Sequence, residues 1–359
     1  MTTRSLSLSG LDDADLDDVM CASARFVDDL RRARIVVTGA TGWFGTWLLD
    51  ALVAMNRVAG LELGIVAVTR DPAAFARRHP ALAGATEITW IAADVRDAHL
   101  EFGRGVTHII HAAAETSAIS GAARPDALFE TIVGGTANVL RVASRVRDVK
   151  CLLVSSGAVY GHQPADLARI TEEYGGGPDP LDAGNAYAEG KRAAEQLAAI
   201  HHRMHGLHVT IARCFAFVGP HMPLDAHFAI GNFIGDSLAG APLRIHGDGR
   251  PLRSYLYMSD LVVWLLAILV DGRPGRAYNV GGDEALSILD LAKRCAAIGG
   301  VSFHVEGRSG NARNYVPDTQ RAHRELGLLA RVSLDGAIRR TMAWAARAIA
   351  SPETAVAVQ

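Results

Sequence analysis

Arg34-Ile35-Val36-Val37-Thr38-Gly39-Ala40-Thr41-Gly42-Trp43-Phe44-Gly45-Thr46 is the stretch that decides how this chain folds. Ile35-Val36-Val37 is a short β-branched run and reads as a strand. Thr38 to Gly45 is rich in glycine, and from Thr46 to Val58 the apolar residues recur with helical period. A strand, a glycine loop and a helix in that order set unpaired backbone N–H groups beside the loop, where a phosphate is held. Gly39, Thr41, Gly42, Trp43, Phe44 and Gly45 are therefore candidate contacts to a dinucleotide. Ordinary tight turns also use glycine, so the weight of the motif lies in its strand-to-helix setting.

The same alternation continues outward. Strands are expected near Gly64–Thr69, Glu87–Ala92, His108–His111, Lys150–Ser155 and His208–Arg213, separated by helix-length segments rich in Ala and Leu. Strands separated by helices imply an α/β fold, a doubly wound parallel sheet of the Rossmann kind. Beyond Gly219 the rhythm loosens around Pro220, Pro223, Pro242 and Pro251, before helices near Ser259–Val270, Ile288–Ala297 and Leu334–Ala348. The expected organisation is an N-terminal helical extension (1–33), a dinucleotide-binding domain carrying the catalytic residues (34–218), a smaller C-terminal substrate-binding lobe (219–350), some of whose segments return to the first domain, and a tail (351–359). In the extension Val19, Phe26, Val27 and Leu30 can form one face of a short helix packed on the domain. Gly175–Gly177 with Pro178 and Pro180 reads as a surface loop.

Composition narrows the partners. With 359 residues, 49% of them hydrophobic, and a formal charge of −2, the chain can bury a large core but has no overall field to hold nucleic acid or an acidic membrane surface. Cys21, Cys151, Cys214 and Cys295 lie far apart, which suits reduced thiols rather than a disulfide or zinc framework. The acidic start, Asp12 to Asp18, is unlike a secretory signal, and Leu261–Val270 is too short to span a bilayer, so it reads as a buried helix. A cytoplasmic protein is expected.

Cofactor preference is written at the end of the second strand, where an acidic residue would accept from the adenosine ribose and a basic one would meet a 2′-phosphate. Thr69 stands at the acidic position and Arg70 follows, which leans toward NADP; Asp71 comes next and could redirect the arginine. Asp94 and Val95 after the third strand suit the adenine edge and face, although an aspartate there also serves as a helix cap.

The chemistry-bearing pattern is Tyr187-Ala188-Glu189-Gly190-Lys191. Residues four apart project from one face of a helix, so the ammonium can lower the phenol's pKa and make it an acid or base near neutrality. With three lysines and seven tyrosines in the chain, chance seldom produces this spacing. Upstream, the strand Cys151–Ser155 runs into Ser156-Gly157-Ala158, which puts hydroxyls at a strand's carboxyl end, where α/β sheets bind ligands. Ser156 is the candidate to hold the reacting oxygen.

Together TGATGWFG, HAAAE (His111–Glu115), SSGAVYG, YAEGK, RCFAFVGP and RSYLYMSDL resemble the extended short-chain dehydrogenase/reductase superfamily over roughly residues 34 to 347. GDG-x-x-x-R (Gly247 to Arg253), YNVGG (Tyr278 to Gly282) and R-x-G-x-x-R-x-Y (Arg308 to Tyr315) are similar to its NAD(P)-dependent nucleotide-sugar epimerases and dehydratases. The resemblance implies a hydride exchanged between a sugar carbon and NAD(P), with Tyr187 as acid/base, Lys191 on the nicotinamide ribose and Ser156 fixing the oxygen. It puts Ala112, Ala113 and Ala114 at the cofactor, and Glu115, Asn232, Arg253 and Arg313 at a nucleotide-sugar substrate. It also implies a homodimer built on the helices carrying 126–146 and 186–204.

Departures shape the activity expected. The 4,6-dehydratases carry Asp-Glu after the catalytic hydroxyl; here Gly157-Ala158 removes the usual acid and base for eliminating water. Ala216 and Ile132 stand where related patterns have Asn. An epimerase working by transient oxidation is the leading expectation. A 4-ketosugar reductase, a dehydratase with non-standard acid/base residues, and a non-catalytic dinucleotide-binding sensor are the alternatives. His201, His202, His205 and His208 lack an H-E-x-x-H pattern or a partnering carboxylate, so no metal is expected there. His111 reads as a packing residue after the fourth strand, and Trp43, Phe44 and Trp47 as core or as a wall beside the nicotinamide.

Overall fold

A computed structural model describes residues 5–113, 124–226, 228–307 and 313–350. Seven parallel strands form its central sheet. In chain order they are β1 (Arg34–Thr38), β2 (Gly64–Thr69), β3 (Ile88–Ala92), β4 (His108–His111), β5 (Lys150–Ser156), β6 (His208–Cys214) and a last strand, Ala277–Val280. Across the sheet the order runs from the Ala277–Val280 strand through β6, β5, β4, β1 and β2 to β3. Chain direction across the sheet thus reverses between β1 and β4, the topological position at which doubly wound sheets bind ligands.

Each strand divides its side chains between two apolar layers because successive residues point to opposite faces. Ile35 and Val37 enter a core with helix α1 (Asp13–Ser23), helix α2 (Trp43–Ala59) and the helix Met258–Asp271. Val36 enters the opposite core with the helices Pro125–Ala143 and Ala186–His205. The Met258–Asp271 helix buries every residue from Met258 to Val270, as its ten-residue apolar run requires.

The sequence reading expected segments of the C-terminal lobe to return to the first domain without naming one: Tyr278 pairs with Ala212 and Val280 with Cys214, so Ala277–Val280 completes the sheet beside β6. The extension also differs from one short helix. It forms α1, then a separate 3₁₀ turn over Val27–Leu30 that buries Leu30, with Val19 and Phe26 also inside. It straps the two ends of the molecule together. The buried Asp50 of α2 accepts from Ser7 Oγ (2.6 Å), Leu8 N (2.8 Å), Ser9 N (3.0 Å) and Ser9 Oγ (2.6 Å). From the C-terminal helix Leu334–Ala350, Trp344 donates to Gly10 O, and Arg340 pairs with Asp15 and Asp18. No helix among the described residues is long and apolar enough to cross a membrane.

Candidate active site

The glycine loop is built to admit something close. Gly39 has φ +69°, in the left-handed region, and a Cβ there would fall 2.7 Å from the Ala112 carbonyl carbon and oxygen and 2.8 Å from Ala113 Cα. A Cβ on Gly45 would overlap the backbone of Gly39 and Ala40. The loop is thereby folded tightly against the end of β4, while the exposed Gly42 caps α2 and opens its first N–H groups to solvent. Thr41 Oγ1 lies 2.9 Å from Thr69 Oγ1, tying the loop to the end of β2. Trp43 and Trp47 both donate through Nε1 to Pro220 O, at 2.7 and 3.0 Å, and Phe44 meets Phe217 edge-on at 5.2 Å. These aromatics join the loop helix to the C-terminal part of the chain. The residues present therefore fit a dinucleotide.

At the ends of β2 and β3, the residues expected at the adenosine take definite partners. Asp71 does not turn back on Arg70: its Oδ1 accepts from Ala74 N at 2.8 Å and caps the short helix Pro72–Arg78. Arg70 stays exposed, with no hydrogen bond or ion pair among the described residues. Asp94 is held by Arg96, whose Nε (3.0 Å) and Nη2 (2.9 Å) grip both carboxylate oxygens. That pairing keeps the Asp94 carboxyl below its usual range. Val95 is buried against Gly135 of the Pro125–Ala143 helix, where an added Cβ would come within 2.7 Å of it. Ala112 and Ala113 line the loop from β4; Ala114 and Glu115 lie outside the described residues. His111 is the last residue of β4 rather than a loop residue after it. Its ring bridges Thr38 Oγ1 (2.7 Å) and Thr136 Oγ1 (3.0 Å), and burial pushes its pKa down to about 3.

The three chemistry-bearing residues meet at the carboxyl ends of β5 and β6. Ser156 ends β5, and its Oγ accepts from Ala158 N at 3.1 Å. Tyr187 opens the first turn of the Ala186–His205 helix and Lys191 follows one turn later, its Nζ 5.9 Å from the Tyr187 ring centre. Lys191 Nζ donates to Val154 O at 2.7 Å, and burial draws its pKa down to about 8. Burial raises the Tyr187 phenol to about 12, and the neighbouring Ser156 hydroxyl pulls it lower. Lys191 thus stays mostly charged at neutral pH, with its ammonium over the Tyr187 ring.

Behind them lies a polar girder that the sequence reading missed. Glu195 accepts from Ser155 Oγ (2.6 Å) and from Arg213 Nε (3.0 Å) and Nη2 (2.7 Å). Arg213 also donates to Tyr160 Oη (2.8 Å), which donates to Asn279 Oδ1 (2.8 Å). This chain of bonds holds the Ala186–His205 helix against β5, β6 and the seventh strand. Glu195 stands four residues after Lys191, on the same helix face, and that spacing was the available signal. Tyr315 was missed as well. Its phenol lies 3.5 Å from Ser156 Oγ, and its ring packs on Phe215 with centres 4.6 Å apart.

The residues expected at a substrate are spread more widely. Asn232 lines a cavity of about 270 Å³ with Phe233, Arg244, His246, Gly249 and Pro251, and its Oδ1 has no partner among the described residues. Arg253 donates to Leu252 O (2.9 Å) and Arg313 O (2.5 Å), and its guanidinium sits 6.0 Å over the Tyr315 ring. Arg313 itself is exposed. Arg253 and Arg313 are thus neighbours. The histidine run is occupied elsewhere: His201 Nδ1 lies 2.8 Å from Ser144 Oγ and His202 Nδ1 2.9 Å from Leu207 O.

The sequence that builds the glycine loop and this sheet matches a known family model. The model is that of the NAD dependent epimerase/dehydratase family, over residues 35–281. The chain belongs to this family. It is an enzyme of the extended short-chain dehydrogenase/reductase type, on a Rossmann fold. Among relatives of this family, UDP-glucuronic acid decarboxylase 1 of Arabidopsis thaliana is 31% identical over 315 residues, covering 85% of this chain and 68% of that protein. A dTDP-glucose 4,6-dehydratase of Streptomyces griseus is 30% identical over 323 residues, 86% of this chain and 93% of that one. Among solved structures, the dTDP-glucose 4,6-dehydratase DesIV of Streptomyces venezuelae, with NAD bound, superposes with a TM-score of 0.74 at 27% identity, covering 87% of this chain and 96% of that one. A UDP-glucose 4-epimerase of Thermotoga maritima shares the fold at a TM-score of 0.74 and 21% identity, over 88% and 99% of the two chains.

Proposed function

We propose that this family member is a nucleotide-sugar epimerase, which oxidises a sugar hydroxyl transiently and returns hydride to the opposite face of the same carbon. The observation that carries this reading is the neighbourhood of Ser156. An acid and a base for eliminating water are absent at Gly157 and Ala158, and the space beside Gly157 is filled by Phe215 and Tyr315. What is left is the equipment for moving one proton and one hydride. NAD(P), when bound on the glycine loop, supplies the hydride acceptor and donor. Tyr187 takes the hydroxyl proton and gives it back, Ser156 holds the sugar oxygen, and Lys191 reaches the nicotinamide ribose while stabilising Tyr187. Tyr187 therefore works as base in one half of the cycle and as acid in the other.

Arg253 and Arg313 are proposed to take the substrate diphosphate, since guanidinium groups grip such oxygens bidentately. The cavity at Asn232 is proposed to take the nucleoside, with Asn232 offering an amide to it. Within NAD(P), the exposed Arg70, released by the cap at Asp71, supports a lean to the 2′-phosphorylated form. Arg70→Ala is expected to lower the preference for NADP over NAD by roughly 10- to 100-fold, the worth of one charge-assisted contact. Dissociation constants for both cofactors measure it, and an unchanged ratio removes Arg70 from the site. A homodimer is proposed through the Pro125–Ala143 and Ala186–His205 helices, which expose Phe129, Ile200 and Met204. A monomer by light scattering would refute it.

A second reading is supported by the relatives named UDP-glucuronic acid decarboxylase. Oxidation beside a carboxylate labilises carbon dioxide and needs no added carboxylate base. The test is to denature the purified protein, identify released small molecules by mass spectrometry, and screen UDP-, dTDP-, CDP- and GDP-sugars for binding and product. Retained cofactor with an epimeric product supports the epimerase. Release of carbon dioxide from a uronic acid supports the decarboxylase, and an empty protein that consumes NADPH supports a ketosugar reductase.

A further inference from the structure

Tyr315 reaches the reacting centre only because position 157 has no side chain. A Cβ on Gly157 would lie 2.7 Å from both the Tyr315 hydroxyl and Phe215 Cζ, closer than such atoms approach. With glycine there, Tyr315 Oη stands 3.5 Å from Ser156 Oγ and 3.5 Å from the Cys214 carbonyl oxygen. These are long contacts, of the kind that tighten when a substrate closes an active site.

Ser156 has one proton to give and two lone pairs to offer. The Ala158 N–H already occupies one lone pair. If the Tyr315 O–H occupies the other, the Ser156 proton is left for Tyr187. We propose that Tyr315 is a positioning residue that acts through Ser156, turning the Ser156 proton toward Tyr187 and so favouring the phenolate by which Tyr187 acts as base. The proposal rests on the Ser156, Tyr187 and Lys191 roles given above. Bonds in such a chain strengthen one another, because each donor made more positive by its own acceptor is a better donor to the next. If the Tyr315 proton instead goes to Cys214 O, Ser156 can donate to Tyr315, and Tyr187 loses the bond.

The groups facing Tyr187 come from several elements. Lys191 lies on its own helix, Cys214 on β6, and Tyr315 on the segment that bridges to Arg253. Glu195 and Cys214 act on Lys191, Lys191 acts on His111, and Arg253 acts on Tyr315. Tyr315→Phe removes the hydroxyl at Ser156 and keeps the ring that stacks on Phe215.

The test titrates Tyr187 directly. The full chain loaded with NAD(P), its tyrosines carrying ¹³C at ring Cζ, is followed by NMR, with the Tyr187 signal assigned from Tyr187→Phe. At the highest pH at which the protein stays folded, Tyr315→Phe is expected to show a smaller phenolate fraction at Tyr187 than the parent, the mark of a higher midpoint. An equal or larger fraction overturns the proposal. Gly157→Ala, which displaces the phenol without removing it, is expected to lower the fraction too; a Gly157→Ala protein that titrates like the parent also overturns it. The titration needs no turnover, so it is separate from the parent reading, which fails if Tyr187→Phe leaves turnover intact.

Discussion

Tyr187→Phe lowers turnover by about 10²- to 10⁴-fold, the range that a positioned acid/base contributes, while cofactor affinity and melting temperature stay close to the parent's. The ring remains, and so does its packing against the apolar layer formed with the Ala186–His205 helix. Lys191 keeps its own anchor, the 2.7 Å bond to Val154 O, which does not depend on the phenol. Cofactor binding is therefore separable from proton transfer, and measuring kcat, KM and the cofactor Kd on one preparation separates them. The parent's turnover is also expected to fall above pH 8. Burial draws the Lys191 pKa down to about 8, so the ammonium that favours the phenolate is lost as pH rises through that value. A variant that keeps its turnover, with cofactor bound, would mean that Tyr187 is not the acid/base.

Acid is expected to unfold the protein early. Four buried histidines stay neutral in the fold: burial, the largest cause for each, lowers His79 and His108 to about 4 and His111 and His221 to about 3, from 6.5. Neighbouring cations add to it, Arg78 at His79, Lys150 at His108 and Lys191 at His111. A depressed histidine pKa means that the unfolded chain binds the proton first. Stability is then full above pH 6.5 and drains as pH falls, until the folded pKa is reached. At about 1.4 kcal/mol per pH unit for each group, the four together cost roughly 5 kcal/mol between pH 7.5 and 5.5. Asp260 works the other way, since burial raises it to about 6, but it returns only about 1 kcal/mol over that range. A domain with 5–15 kcal/mol of stability cannot lose that much without a large fall in melting temperature. Thermal melts at pH 7.5 and 5.5 measure it; equal midpoints would mean that these rings are not held neutral. His221→Leu, which removes a ring whose Nε2 has no partner among the described residues, is expected to soften the dependence.

The sheet was readable in the sequence because its inner strands are continuous apolar runs between helices, the signature of parallel strands covered on both faces. Ile35-Val36-Val37 and Cys151–Val154 are such runs, and both lie in the sheet. Ala277–Val280 carries Tyr278 and Asn279 in only four residues, and its pairing with β6 is a long-range contact that no local pattern encodes. The Tyr187–Lys191 spacing was legible because a helix turn converts it directly into proximity. Asp71 before Pro72 could have been read as a helix cap, since proline favours the first helical position, and that would have released Arg70 at once. Tyr315 could not have been placed from spacing. It reaches Ser156 through a bridge to Arg253 and through a vacancy at Gly157, both set by tertiary packing.

The central claim is that one hydride leaves and returns to one carbon inside this site. Cofactor-loaded protein would be incubated with the nucleotide sugar that it binds, carrying deuterium at the carbon to be oxidised, and the products followed by NMR and mass spectrometry. The account predicts an epimeric sugar with the deuterium still on that carbon and no net change in cofactor redox state. Product formed with net consumption of NADPH, with loss of carbon dioxide, or with loss of water would contradict it.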